Sequence, residues 1–368
     1  MRTILAIVFS FALALPCHAQ VKQNTLTPNE IADGWILLFD GETTFGWDVK
    51  GPATVAEGWL IVGGKEPATA VFRGAFPGTY RMSFEAARIG KSDAQPFQLI
   101  AFSPKGERIA ATLIALDRRP KQYNELSPTA GNTETNRVQI VVPAGESVSI
   151  RNIKLQPTGT KSIFNGKDLD GWHVFPGDKY KSNFTVKDGA INVKDGPGDL
   201  QTAGKYKDFL LQLDCISNGK HLNSGIFFRC RDKEYQNGYE AQIRNQFTKE
   251  ASQKYVIEEH DPMTNKLLGK KDIMSTAFDY GTGAIYRRVP ARKEMSKDNE
   301  WFGMTVLAHG NHLATWVNGV QVVDWTDNRP KTDNARTGCK LDAGHISIQG
   351  HDPTTDLSFK NFRIAEFK

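Results

Sequence analysis

Three short segments of the chain, at 223–229, 238–244 and 345–351, alternate apolar residues with large hydrogen-bonding residues. Successive side chains of a β-strand point to opposite faces, so each segment presents one apolar and one polar face. The polar faces combine amide, guanidinium, carboxylate and imidazole groups, and they comprise Asn223, Phe227, Arg229, Glu240, Gln242, Arg244, Ser347, Gln349 and His351. Such a set favours binding of a polyhydroxylated ligand, with Phe227 and Trp316 available for stacking on sugar rings. The outer face of an ordinary sandwich is also polar, so the pattern alone leaves both interpretations open.

The elements that would position these residues are short strands. Both halves of the chain show apolar residues with period two, in short runs separated by Gly, Asn or Asp. The stretch "WVNGVQVV" at 316–323 predicts a hairpin that turns at Asn318 and Gly319. Long helical periodicity is absent after the first twenty residues, apart from a turn or two near "TPNEIADGW" at 27–35. We therefore expect an all-β fold of two tandem antiparallel β-sandwich or jelly-roll domains.

An internal duplication indicates where the two domains meet. The segment "WILLFDGETTFGWDV" from Trp35 resembles "KSIFNGKDLDGWHV" from Lys161. The closing stretches "SVSIRNIKLQP" and "LSFKNFRIAEF" are also alike. A repeat at this spacing predicts tandem domains rather than a solenoid, with boundaries at 20–157 and 158–368.

The first nineteen residues are expected to be a signal peptide, because a cationic Arg2 precedes an apolar run that ends in small residues. The protein is therefore expected to be exported, to the periplasm or beyond, with no membrane span. Lys and Arg total 46 against 41 acidic residues, and this weak balance does not indicate a nucleic-acid partner. Three cysteines follow the signal, Cys215, Cys230 and Cys339, and any disulfide pairing among them is open, as is the oligomeric state.

An ordered set of motifs in the second half resembles a known family. The stretches "IFNGKDLDGW", "NSGIFFR", "YEAQI", "GAIY", "NEWFGMTVLAHGNHL", "WVNGV", "ISIQGH" and "FKNFRI" follow one another over 161–368. In this order they are similar to the 3-keto-disaccharide hydrolase family. The resemblance implies a concanavalin A-like jelly roll in an exported protein that acts on glycosides oxidised to a ketone at C3. The first half lacks most of these motifs, so we interpret it as a degenerate or accessory β-domain.

The reaction that the resemblance implies needs one base and one electrophile. A C3 ketone acidifies the C2 hydrogen, and the enolate formed by its removal expels the C1 aglycone. Added water would make the enzyme a hydrolase, and without that step it would be a lyase. On this interpretation Glu240 is the base, His351 is the alternative base, and Arg229 or a bound divalent metal ion holds the enolate. The predicted substrate-binding residues are Asn223, Phe227, Gln242, Tyr286, Trp316 and Gln349.

Two other functions compete with this prediction. A non-catalytic, lectin-like carbohydrate-binding module would use the same polar face and the same aromatic residues. A conventional laminarinase-type glycosidase needs carboxylates at alternating inward positions, and the chain has no Glu-x-Asp-x-x-Glu run. The carbohydrate-binding module therefore remains the main alternative, and the second half of the chain carries the candidate site in both cases.

Overall fold

The computed structural model describes most of the chain. The described residues are 22–77, 80–89, 97–102, 108–114, 119–126, 137–175, 177–232, 234–261, 264 and 266–367. The predicted signal peptide at 1–19 lies outside them.

The first half contains one short helix and eleven strands among its described residues. They are α1 (Pro28–Ala32), β1 (Ile36–Leu37), β2 (Trp47–Lys50), β3 (Ala53–Ala56), β4 (Trp59–Gly63), β5 (Ala68–Phe72), β6 (Tyr80–Ile89), β7 (Phe97–Phe102), β8 (Arg108–Ile114), β9 (Lys121–Leu126), β10 (Arg137–Val142) and β11 (Ser147–Pro157). The helix begins where the sequence predicts it, because Thr27 and Glu30 form a reciprocal capping box and Pro28 suits the first helical position.

The second half continues with strands only, in its described residues. They are β12 (Lys161–Ser162), β13 (Trp172–Val174), β14 (Asn183–Lys187), β15 (Ala190–Lys194), β16 (Gly198–Thr202), β17 (Phe209–Ser217), β18 (Ser224–Cys230), β19 (Tyr239–Ile243), β20 (Gln253–His260), β21 (Leu267–Ser275), β22 (Phe302–His309), β23 (His312–Val317), β24 (Val320–Thr326), β25 (His345–Gly350) and β26 (Asp356–Glu366). The predicted hairpin is β23 and β24. Asn318 and Gly319 turn it with φ of 47° and 74°, as a type I′ turn requires.

Each half forms its own pair of antiparallel sheets. The first half has the orders β3-β4-β11-β6-β9, with β1 beside β11, and β2-β5-β10-β7-β8. The second half has the orders β14-β15-β26-β17-β22-β23-β24, with β12 beside β26, and β13-β16-β25-β18-β19. Strands β20 and β21 form a separate hairpin. The prediction of an all-β fold built from antiparallel sheets is confirmed.

The predicted apolar faces of the three opening segments form the core of the second half. Ile226 and Phe228 of β18, Ala241 of β19 and Ile348 of β25 are all 0 % exposed. They belong to one buried cluster with Phe209 and other residues of the facing sheet. Burial of each large side chain contributes about 1.5–3 kcal/mol, which fixes the register and leaves the alternate residues on the outer face of their sheet.

The first half of the chain covers the outward face of the second-half sheet that contains β17, β22 and β23. Leu210, Leu307, Ala314 and Trp316 belong to the buried cluster of the first half. The Trp316 ring lies 6.5 Å from that of Phe72, and its Nε1 donates a hydrogen bond of 3.0 Å to the Leu37 carbonyl oxygen. Trp316 is 0 % exposed and therefore does not lie where a sugar could stack on it, which corrects its predicted substrate-binding role.

Replacement of Trp316 by alanine should lower the free energy of unfolding by about 3–5 kcal/mol, because it opens a cavity between the two halves. Urea unfolding followed by circular dichroism measures the change. Trp301→Ala is the matched control, since Trp301 is 42 % exposed and its loss should cost far less. Equal losses in the two variants would contradict the packing role of Trp316.

The proposed boundary at 157/158 stays a prediction. Among the described residues no ladder between strands crosses it, although side-chain packing and the backbone hydrogen bond from Leu37 N to Gly319 O do.

Candidate functional site

The candidate site lies on the outer side of the five-stranded sheet of β13, β16, β25, β18 and β19. The side chains that alternate with the buried apolar ones form what we call the polar face: Asp199, Gln201, Gly225, Phe227, Glu240, Gln242, Ser347 and Gln349. One row across four strands runs through Gln201, Ser347, Phe227 and Glu240. The first half of the chain packs on the sheet that contains β17, β22 and β23. That contact does not cover the polar face.

The position of the Glu240 side chain depends on Gly225 of the neighbouring strand β18, which has no side chain of its own. It is paired diagonally to Gly225, and a Cβ added to Gly225 would lie 2.7 Å from Glu240 Oε1. The carboxylate therefore lies across β18 rather than pointing away from the sheet. Only glycine at 225 permits this position, because any other residue would require the carboxylate to move.

Two carboxylates on the polar face keep their protons to unusually high pH. The pKa of Glu240 is raised to about 8, chiefly by burial and also by the nearby Asp199 carboxylate, although Arg336 and Arg287 oppose the rise. Burial also raises the pKa of Asp199 to about 7, opposed by a hydrogen bond from Gln236 N to its Oδ2 at 2.9 Å. Ionisation of Asp199 therefore helps Glu240 to keep its proton near neutral pH.

Arg336 provides a positive charge that lowers the pKa of both carboxylates. Its guanidinium carbon lies 5.6 Å from the centre of the Phe227 ring, and its Nε donates a hydrogen bond to the Gln236 carbonyl oxygen. Glu240 and Arg336 line a narrow cleft of about 20 Å³ together with Tyr286 and Arg287. The backbone of Tyr286 donates to the Glu240 carbonyl oxygen at 2.9 Å, which fixes this loop against β19.

Several buried polar atoms on this face have no hydrogen-bond partner among the described residues. They are Asp199 Oδ1, Gln201 Nε2, Gln201 Oε1, Gln242 Oε1, Ser347 Oγ and Gln349 Oε1. An unpartnered buried polar group costs about 1–3 kcal/mol, so a face that keeps several of them is prepared to bind a ligand rich in hydroxyl groups.

Aromatic rings flank the Asp199 end of the polar face. The ring of Tyr180 lies 5.0 Å from that of Tyr235 and 5.1 Å from that of Phe175. The backbone of Phe175 donates to the Asp199 carbonyl oxygen at 2.8 Å, which ties the group to β16. These rings offer the stacking surface that the sequence analysis expected from Trp316.

Arg229 does not lie on the polar face, which corrects its predicted role. A β-bulge between Phe227 and Cys230 reverses the alternation, and Arg229 has a φ of 52°. Its guanidinium is 0 % exposed and pairs with Asp208 at 2.8 Å. It also donates to the carbonyl oxygens of Lys207, Gly310 and Lys340. Arg229 therefore stabilises the fold and cannot hold an enolate beside Glu240.

The other predicted site residues are divided between the polar face and its surroundings. Gln242, Gln349 and Tyr286 lie on the face or on the cleft beside it, and Gln242 Nε2 donates to Asn223 Oδ1 at 3.2 Å. Phe227 also lies on the face, but it is 0 % exposed and the Arg336 guanidinium lies over its ring, which corrects its predicted stacking role as for Trp316. His351 follows the end of β25, where its half-exposed ring pairs with Asp352 at 2.8 Å. No contact among the described residues brings His351 to Glu240.

The sequence analysis missed four polar residues of the site, as well as the aromatic rings at its Asp199 end. Asp199 and Gln201 alternate in "GDLQT", a signal of the same kind as in the other strands, and could have been found. Arg287 and Arg336 come from loops, whose positions no periodicity predicts. Asp199 changes the chemistry, because the polar face carries two carboxylates rather than the single one expected.

The described residues contain no group of three or more His, Cys, Asp or Glu side chains that could hold a metal ion. The expected divalent ion thus has no such set of protein ligands in this part of the chain, and we derive no step through it. Cys215, Cys230 and Cys339 are buried and unpaired. Within the same residues no helix has the length and apolarity needed to cross a bilayer.

Residues 159–365 match the family described as the 3-keto-alpha-glucoside-1,2-lyase-like domain, and the chain belongs to this family. A 3-keto-disaccharide hydrolase from Bacteroides thetaiotaomicron is 25% identical over 285 residues, which cover 69% of this chain and 94% of that protein. A candidate glycosyl hydrolase from Parabacteroides distasonis is 23% identical, with a TM-score of 0.43, over 57% of this chain and 94% of that structure. The carbohydrate-binding module CBM66 from Bacillus subtilis is 13% identical, with a TM-score of 0.34, over 55% of this chain and 99% of that structure. The resemblance predicted from the sequence motifs is confirmed.

Proposed function

We propose that the protein cleaves glycosides whose sugar carries a ketone at C3, by removal of the C2 proton and expulsion of the C1 aglycone. Family membership and the name of the Bacteroides relative support the substrate class. The observation that carries the proposal is the buried pair of Glu240 and Asp199, with raised pKa values, on a face that retains unpartnered polar atoms.

The pair supplies an acid and a base at the same pH. The ionised carboxylate takes the C2 proton, and the electrons of that C–H bond form the C2–C3 double bond of an enolate with its charge on the C3 oxygen. The enolate then collapses, the C1–O bond breaks, and the protonated carboxylate gives its proton to the departing oxygen. The products are an enone sugar and the free alcohol. Addition of water across the double bond, with OH at C1 and H at C2, completes a hydrolysis.

The remaining residues of the site stabilise the negative charge of the enolate and bind the sugar. The guanidinium of Arg336 takes the role first assigned to Arg229 and stabilises the enolate oxygen, assisted by Arg287. Gln201, Ser347 and Gln349 donate to or accept from sugar hydroxyls through their unpartnered atoms. Tyr180 and Tyr235 stack on the second ring of a disaccharide.

A comparison of a 3-keto-glucoside with its unoxidised parent tests the proposal. Aglycone release from the keto sugar alone is the expected result, and enone absorbance that persists would identify a lyase. Saturable binding of both sugars without release would instead favour the carbohydrate-binding module, which would use the same unpartnered atoms.

Activity should follow a narrow bell-shaped pH profile. The lower limb reports ionisation of the base near pH 7, and the upper limb reports loss of the acid proton near pH 8. In Asp199→Asn the upper limb should move to lower pH, because the Asp199 anion raises the pKa of Glu240. Both folded pKa values lie above the unfolded values of about 4, so folding stability should fall as pH rises from about 4 and should level off above about 8. A profile that is flat from pH 6 to 9 would contradict the pair.

Replacement of Gly225 by alanine should reduce kcat by about 100-fold, because the new Cβ displaces the Glu240 carboxylate from its position across β18. Initial rates of aglycone release measure the loss. Gly269→Ala is the matched control, since an added Cβ there meets nothing within 4 Å. If both variants keep the parent rate, the position of Glu240 across β18 is not required.

Export of the protein is part of the proposal and rests on the apolar segment at 1–19. Detection of a chain cleaved after residue 19 in the periplasm or the medium would support it, and an intact chain in the cytoplasm would refute it.

A further inference from the structure

A second cavity, of about 480 Å³, lies away from the polar face. Its walls come from the loop that precedes β22, from the β23–β24 turn and from the loop after β19, and its lining includes Trp301, Ser296 and Asn318. It shares no lining residue with the cleft at Glu240. The volume lies within the range of pockets that bind small ligands, about 300–1,000 Å³.

Trp301 presents an indole ring to this cavity. The side chain is 42 % exposed, which is unusual for tryptophan, and Lys360 Nζ lies 3.9 Å from the ring centre. A cation–π contact of this kind holds one face of the ring and fixes its orientation. The ring is therefore a fixed aromatic surface on the cavity wall rather than a free side chain.

The other walls of the cavity are also held in place. Asn318 donates to the Met295 carbonyl oxygen at 2.7 Å and accepts from Gly303 N at 3.0 Å. Ser296 Oγ donates to Asn245 Oδ1 at 2.6 Å. Asn245 is 7 % exposed, and its Nδ2 is buried without a hydrogen-bond partner among the described residues. A polar wall that is held in place in this way favours a ligand that forms hydrogen bonds.

The charged residues that line the cavity indicate which class of ligand it would bind. Lys249 and Lys297 are balanced by Glu294 and Glu300, so the lining has no net charge. An anionic or cationic ligand would gain no attraction from such a lining. A neutral ligand with an apolar face for the indole and hydroxyl groups for the lysines and glutamates fits all of these features.

We propose that this cavity is a second saccharide site, which binds a neutral pyranose by stacking on Trp301 and by hydrogen bonds to the surrounding side chains. The site does not perform the cleavage, and it takes unoxidised sugar. It would hold the protein near a neutral oligosaccharide while the polar face acts on keto sugars.

Isothermal titration calorimetry with maltose, cellobiose and trehalose tests the proposal. For at least one of them we expect saturable binding that Trp301→Ala weakens by at least about tenfold and that Trp301→Phe weakens less. Phe278→Ala is the matched control, because Phe278 is a 38 % exposed aromatic residue outside the cavity lining, and it should bind like the parent. Turnover of a 3-keto-glycoside by Trp301→Ala at the parent rate shows that the variant is folded.

Three results would overturn the second site. The first is the absence of saturable binding by all three disaccharides. The second is binding that Trp301→Ala leaves unchanged and that competes with the keto-glycoside, which would place it on the polar face. The third is tighter binding of glucuronate than of any neutral sugar.

Discussion

Substitution of Glu240 by glutamine is expected to lower kcat for aglycone release from a 3-keto-glycoside by about 10²–10⁴-fold. Glutamine keeps the size and hydrogen-bonding capacity of the side chain but can neither take nor give a proton. The neutral side chain also removes a buried acid whose pKa is raised, so the fold should be retained or stabilised at pH 8 and above. KM should change little, because the carboxylate acts on the proton rather than on the sugar hydroxyls.

Glu258→Gln is the matched control for this prediction, since Glu258 is a half-exposed glutamate on the β20–β21 hairpin. It should keep the parent kcat. Asp199→Asn should lose activity by a comparable factor, and the double variant should be little worse than either single one, because the two carboxylates act as a unit. Full activity in Glu240→Gln would remove Glu240 from the mechanism.

Replacement of Arg336 by methionine is expected to lower kcat by about 10²–10³-fold, because it removes the cation that stabilises the enolate. It should also move the upper limb of the pH profile to higher pH, because Arg336 lowers the pKa of Glu240. Arg336→Lys keeps the charge without the planar fork and should recover part of the activity. The combined loss of rate and shift of the pH profile would not result from a purely structural role.

Arg231→Met is the control for Arg336, since Arg231 is half-buried and pairs with Glu234 at 2.9 Å. It should preserve both kcat and the pH profile. A parent-like kcat in Arg336→Met would mean that the enolate is stabilised by another group.

The alternation of apolar and polar residues predicted the strands of the site and their buried faces. Ile226, Ala241 and Ile348 are in the core as expected. This success has a simple cause. A one-residue shift in register would move every side chain of a strand to the opposite face, so burial of one face strongly favours a single register.

The failures of the sequence analysis also have physical causes. A β-bulge cannot be seen in the period-two pattern, and it turned Arg229 away from the polar face. Trp316 looked like a stacking residue because nothing in its own strand reveals that the first half of the chain covers it. Arg336 comes from a loop far along the chain, and only tertiary structure brings it beside Glu240.

The first half of the chain packs behind the sheet that faces away from the site. Its contacts through Trp316 and Leu37 support the β23–β24 hairpin from the side opposite the polar face. This arrangement agrees with the hypothesis of an accessory domain without catalytic residues, which stays a prediction.

The central claim is that cleavage begins with removal of the C2 proton, and a 3-keto-glycoside labelled with deuterium at C2 tests it most directly. The reaction is run in ordinary water, and the sugar product is analysed by mass spectrometry as the aglycone is released. The account predicts that deuterium leaves C2 for solvent with each cleavage and that Asp199→Asn, which removes the group ionised near pH 7, suppresses label loss and aglycone release together. A product that retains its full label at C2 would contradict the account, because the C1–O bond would then have broken without deprotonation.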